Sequence, residues 1–119
     1  MKFKVYYMKP GWFREGIMGA RPDLNDLEKT HIHVRDLEGP SIVSNTNELE
    51  RIYRIMQAEV WSPNGEAREL IESLGLRHTS MSVGDVVVVE GGGPELKAGT
   101  YMVAGMGFTR LEPEGVDNI

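Results

Sequence analysis

The chain has 119 residues, 40% hydrophobic and 26% charged, which suits one globular domain and excludes wholesale disorder. It contains no cysteine, so a disulfide framework, a thiolate metal site and a cysteine nucleophile are all excluded. The net charge is −5, unevenly spread. Residues 1–35 carry seven Lys/Arg against four Asp/Glu, and residues 36–119 carry six against fourteen.

Residues 2–8, Lys-Phe-Lys-Val-Tyr-Tyr-Met, begin with apolar and charged residues alternating and predict a strand. This start, Met1 to Tyr7, lacks the apolar stretch and small-residue cleavage site of a signal peptide. The longest apolar run, Val86 to Val89, is too short to span a bilayer, so a cytoplasmic location without membrane association is expected. Lys9-Pro10-Gly11 marks a turn. Residues 11–28 hold Gly11, Gly16, Gly19 and Pro22 among isolated apolar residues, and no period survives, so they read as a long irregular loop.

Residues 29–36 predict a second strand, with His31 and His33 on one face and Ile32 and Val34 on the other. Gly39-Pro40 ends it. A helix over about 46–60 follows. Asn45 suits its N-cap, Glu48 completes the capping pattern, and Leu49, Ile52, Tyr53, Met56 and Val60 make one apolar stripe. Trp61-Ser62-Pro63-Asn64 interrupts the chain. A second helix over 63–74 then starts with Ser62 as N-cap and Pro63 at its first position, and Gly75 suits its end. Ala67, Leu70, Ile71 and Leu74 face the core in this reading.

From Met81 the pattern turns to β. Ser82-Val83-Gly84-Asp85 reads as a turn into Val86-Val87-Val88-Val89, a β-branched run suited to a buried strand. Thr100 to Ala104 and Met106 to Leu111 are further strands, with Gly105 or Gly107 as a bulge. Residues 112–119 read as a frayed tail. The expectation is one α+β domain: a mainly antiparallel sheet with two consecutive helices packed on one face. Its core is expected to hold Val5, Leu49, Ile52, Met56, Leu70, Ile71, Leu74, Val86, Val88, Val103 and Phe108.

Three groups of residues carry possible chemistry. His31 and His33, with His78 as a third ligand, would make an open zinc site of hydrolytic type. The pattern is short, no Asp or Glu stands at a supporting spacing, and two half-exposed histidines on a polar strand face explain it as well. Arg77-His78-Thr79-Ser80-Met81-Ser82 gathers three hydroxyls, an imidazole and a guanidinium after a helix end. Such a loop presents donors to an anion or a peptide, or its hydroxyls bond the backbone where helix gives way to strand. Trp61 is either a binding anchor or the filler of the corner between two helices. Phosphate cradling is not supported: Gly91-Gly92-Gly93 runs into Pro94, with no Lys-Ser/Thr and no helix. No cofactor is expected.

Glu59-Val60-Trp61-Ser62-Pro63-Asn64-Gly65-Glu66-Ala67-Arg68, the string Arg77 to Val86, and the closing Gly107-Phe108 carry a resemblance. Over roughly residues 29–111 the chain resembles small bacterial and phage proteins of mobile elements that share an HTSMSVGDV segment, related to YodL-like domains. That group has no established reaction. The resemblance therefore implies context alone: an accessory protein of a phage or mobile element that binds a protein partner.

The sequence thus favours a non-enzymatic interaction protein. The alternatives are a nucleic-acid-binding module using the basic first third and a histidine-based metal-dependent hydrolase. A site is expected at Arg77, His78, Thr79, Ser80 and Ser82, with Trp61 and Asn64 nearby.

Overall fold

The computed structural model describes residues 2–39, 48–57, 61, 67–91 and 96–111. Five strands form one sheet: β1 (Lys2–Met8), β2 (His31–Glu38), β3 (Val86–Glu90), β4 (Gly99–Val103) and β5 (Phe108–Leu111). Their order is β2-β1-β3-β4-β5 and every pairing is antiparallel. Among the described residues three α-helices accompany them: α1 (Pro10–Ile17), α2 (Glu48–Ile55) and α3 (Ala67–Ser73). The fold is α+β.

The period-two alternation of the strands divides the side chains between two faces. Phe3, Val5, Tyr7, Val87, Val89, Tyr101 and Val103 turn to the face that holds Leu49, Ile52 and Met56 of α2 and Ala67 and Ile71 of α3. The two consecutive helices therefore cover one face, as the sequence predicts. The register agrees, since Phe3 lies opposite Val89, Val5 opposite Val87, and Val87 opposite Tyr101.

The opposite face is not bare. Val86, Met102 and Leu111 are buried there, with Tyr6, Val88, Leu24 and Leu27 packed against them. Leu24 and Leu27 come from a 3-10 segment, Leu24–Lys29, that is interrupted at Asp26. Asp23 caps it by accepting the Asn25 N–H at 2.9 Å. This corrects two expectations. Val86 and Val88 do not share the helix-covered core, and Val88 is only half-buried. Leu70, Leu74 and Phe108, expected inside, are also half-buried.

Residues 11–28 are not a long loop. Pro10 opens α1 at a position where its missing N–H costs nothing, and the helix runs eight residues despite Gly11 and Gly16. Its stability comes from docking, because a lone helix this short is marginal in water. Gly16 is buried, and a Cβ there would collide with the Met8 sulfur. Gly105 and Gly107 mark a hairpin turn rather than a bulge: Ala104 N–H donates to the Gly107 carbonyl at 2.9 Å, and Gly107 has φ +75°.

The irregularity in the sheet lies instead in β2. Val5 faces Arg35 while Tyr6 faces His33, so Val34 is an extra residue there. Val34 and Arg35 both reach the helix-covered side: Val34 joins its core, and the Arg35 guanidinium lies 4.9 Å from the centre of the Trp61 ring. Among the described residues no helix is long and apolar enough to cross a membrane.

Candidate functional site

Gly75, at φ +73°, ends α3 in the left-handed region, and the Leu76 N–H returns to the Ile71 carbonyl at 3.0 Å. Leu76 and Met81 are buried anchors on either side of residues 77–80. The segment then closes in a turn in which Asp85 N–H donates to the Ser82 carbonyl at 2.9 Å. The Asp85 side chain folds back over that turn and accepts the Ser82 N–H at 2.7 Å. Its other oxygen accepts the Met8 N–H at 2.8 Å, tying the turn to the end of β1.

The same carboxylate holds His78, whose Nε2 lies 3.1 Å from Oδ1 and 3.0 Å from Oδ2. A carboxylate only accepts, so Nε2 carries the hydrogen of this contact. The imidazole stacks on the Tyr7 ring, with centroids 4.6 Å apart and planes 17° apart, and Phe13 of α1 meets it edge-on at 5.2 Å. Tyr7 in turn donates its hydroxyl hydrogen to the Thr79 carbonyl at 2.8 Å. Trp61 Nε1–H donates to that carbonyl at 2.9 Å.

Asp85 is completely buried while the His78 side chain keeps 14% of its surface exposed. Burial pushes the Asp85 carboxyl above its ordinary range, against the pull of His78 and of the two backbone N–H groups. Burial likewise raises the Tyr7 phenol. A third titratable group lies close behind. His31 is buried, donates Nε2–H to the Gly84 carbonyl at 2.8 Å, and meets the Thr30 hydroxyl through Nδ1 at 2.7 Å. Desolvation lowers its pKa.

His78 opens onto a cleft of about 370 Å³ whose other walls are Pro10, Phe13, Arg14, Ile17 and Arg77. Arg14 and Arg77 are exposed. The salt bridges formed by the described residues include neither of them. A second cleft, of about 350 Å³, lies between α2 and the β4–β5 hairpin, beside Tyr53, Val83 and Phe108. Its charged groups, Glu50 and Arg54, are opposite in sign and one turn apart on α2, so they offset each other.

The structure brings together part of the expected site. Arg77 and His78 line the first cleft. Thr79 contributes its carbonyl to Tyr7 and Trp61, Ser80 accepts the Ser82 hydroxyl at 3.3 Å, and Ser82 gives its N–H to Asp85. Trp61 is buried in the core, and its Nε1–H supports the site through the Thr79 carbonyl. Asn64 lies outside the described residues.

The three histidines do not form one ligand set. His33 is exposed, holds Asp36 at 2.6 Å and keeps its carboxyl below the usual range, whereas His31 and His78 are committed elsewhere. Among the described residues no group of three or more His, Asp or Glu is arranged to hold a metal.

Sequence reasoning missed Asp85, Tyr7, Phe13, Arg14 and Ile17. Asp85 carried the one readable signal, an acid placed directly before a run of four valines. As to chemistry, a His–Asp pair alone does not make a catalytic relay, and the neighbouring Ser82 hydroxyl, which would have to be the nucleophile, is spent on the Ser80 carbonyl. What the cleft offers outright is apolar surface with cations at its side. No family model, curated protein or solved structure matches the chain.

Proposed function

We propose that the protein is a non-enzymatic interaction module that engages a protein partner through the cleft between α1 and residues 77–85. The observation that carries this reading is the placement of two exposed arginines, Arg14 and Arg77, around apolar walls on a chain of net charge −5. Unpaired guanidiniums beside apolar surface are the composition of an interface centre rather than of a solvated face. The buried Asp85–His78 pair and the Tyr7 stack hold one wall rigid, which lowers the entropy cost of binding.

The nucleic-acid alternative has less support. Lys2, Lys4 and Lys29 of the basic first third pair with Asp36, Glu90 and Asp26, and Arg35 covers the Trp61 ring. The resemblance to mobile-element proteins supports the same role, that of a cytoplasmic accessory protein of a phage or mobile element. The test is affinity capture from host lysate with the wild type and the Arg14→Glu/Arg77→Glu double variant. Both substitutions lie on the surface and should leave the melting temperature unchanged. A partner captured by the wild type and lost by the variant supports the reading; a partner captured equally by both overturns it.

A further inference from the structure

We infer that the cleft beside His78 is a receptor for a free peptide C-terminus that ends in an apolar residue. The inference rests on the partner-binding reading above and names the part of the partner that enters. Three features of the cleft set the ligand. Its volume, about 370 Å³, admits one or two residues and not the face of a helix, whose diameter with side chains is about 10 Å. Pro10, Phe13 and Ile17 form an apolar wall, and Ile17 keeps 44% of its surface exposed, apolar area that an apolar side chain would cover. Arg14 and Arg77 line the same cleft, and a guanidinium matches a carboxylate with two parallel N–H donors.

Charge and apolar surface therefore share one small space. A ligand that satisfies both carries its carboxylate and its apolar group on the same carbon. That is the chemistry of a C-terminal residue. The carboxylates of internal Asp and Glu sit at the ends of side chains, apart from any apolar neighbour. A phosphorylated side chain brings more charge and no apolar group for the Phe13 and Ile17 wall. Asp85 does not repel the ligand outright, because its charge is buried behind His78 and accepts hydrogen bonds from Met8 N–H and Ser82 N–H as well. His78 faces the cleft with Nε2 fixed on Asp85, which leaves Nδ1 for the ligand or its water.

The experiment is a nuclear magnetic resonance titration of the full chain with acetyl-Gly-Ala-Leu as the free acid. Its C-terminal amide, an amidated peptide with an internal Glu, and 4-methylpentanoate are the comparison probes. The free acid should shift the resonances of Phe13, Ile17 and His78 and bind about tenfold more tightly than the amide, as expected for one charged bidentate contact. Arg77→Gln, an exposed position, should remove that preference without changing the fold. An amide that binds as tightly as the acid overturns the inference. So does an internal Glu peptide that matches the acid, or 4-methylpentanoate alone binding as tightly as the peptide. If any of these occurs while lysate capture still depends on Arg14 and Arg77, this inference fails and the partner-binding reading stands. If capture is also independent of them, both fail.

Discussion

Asp85 is a carboxylate with no exposed surface, and its two oxygens take three donors: Met8 N–H, Ser82 N–H and His78 Nε2–H. Removing one partner of such a network strands the others without water. Asp85→Ala should therefore cost about 3 kcal/mol or more in urea unfolding, and Asp85→Asn, which keeps one acceptor oxygen, should cost less. A loss below about 1 kcal/mol for the alanine variant would show that water replaces the carboxylate, and the site would then lack the rigid wall attributed to it. His31 gives a second expectation. The Thr30 hydroxyl lies 2.7 Å from Nδ1 and 3.3 Å from the Leu27 carbonyl, and burial of the ring favours the neutral imidazole. Its folded pKa is depressed, chiefly by burial, so the unfolded chain binds the proton first. Stability from this group is present above about pH 6.5 and is lost as pH falls through the folded value. Asp85 acts in the opposite sense, since a raised pKa gives stability that falls as pH rises. The two are separated by substitution. Below about pH 6.5 the wild type should lose stability on acidification more steeply than His31→Gln, and equal slopes would remove His31 as the cause.

At the scale of elements, α1 and the 82–85 turn depend on each other. Gly84 has φ +98°, and a Cβ there would lie 2.5 Å from the Met8 sulfur and 2.8 Å from the Gly16 backbone. Gly84 N–H also donates to the Val103 carbonyl at 2.9 Å, so the turn cannot shift away without breaking its link to β4. Gly84→Ala should cost about 2 kcal/mol or more and displace α1. The displacement would be read as loss of the Phe13 ring-current shift on His78. An intact shift would mean that α1 is held by other contacts. The same closeness explains which elements were legible. β1, β2 and the two helices of the main core announce themselves by period, because each presents a face to a large apolar surface, and β3 by its unbroken β-branched run. α1 has eight residues and two glycines, and those glycines read as loop punctuation although Gly16 is there to make room for the Met8 side chain. His31 and His33 pair with Met8 and Tyr6 and so share a face, as the spacing requires. That one is buried and the other exposed follows from Gly84 covering only the first, a contact fifty-three residues away in sequence. The His78–Asp85 pair is likewise set by a turn whose hydrogen bonds no periodicity encodes.

At the scale of the whole molecule, both sheet faces contribute to burial, but unequally, and the inequality ranks the core positions. Ile52 of α2 has no exposed surface and lies in the cluster with Phe3, Val5, Val87 and Val103. Leu70 of α3 packs against that cluster from its edge and remains half-buried, while Ile71, its neighbour, is 2% exposed. The stripe in the sequence does not rank the two, since Leu70 and Ile71 look equivalent there. The helix ends after Ser73 and the chain turns at Gly75, and Leu76 then joins the buried cluster. The cost of truncation combines lost transfer energy with the cavity left behind, and a half-exposed site collapses or admits water where an enclosed one does not. Ile52→Ala should therefore cost about 2–5 kcal/mol in urea unfolding, and Leu70→Ala about 1–2 kcal/mol, with Ile71→Ala nearer the former. Equal losses at Leu70 and Ile52 would show that α3 buries a wider face than its exposed Leu70 edge implies. Ile52 and Leu70 supply none of the hydrogen bonds or ring contacts that hold Asp85 and His78, so both variants should keep the Phe13 ring-current shift on His78, unlike Gly84→Ala, in which stability and the cleft wall fail together.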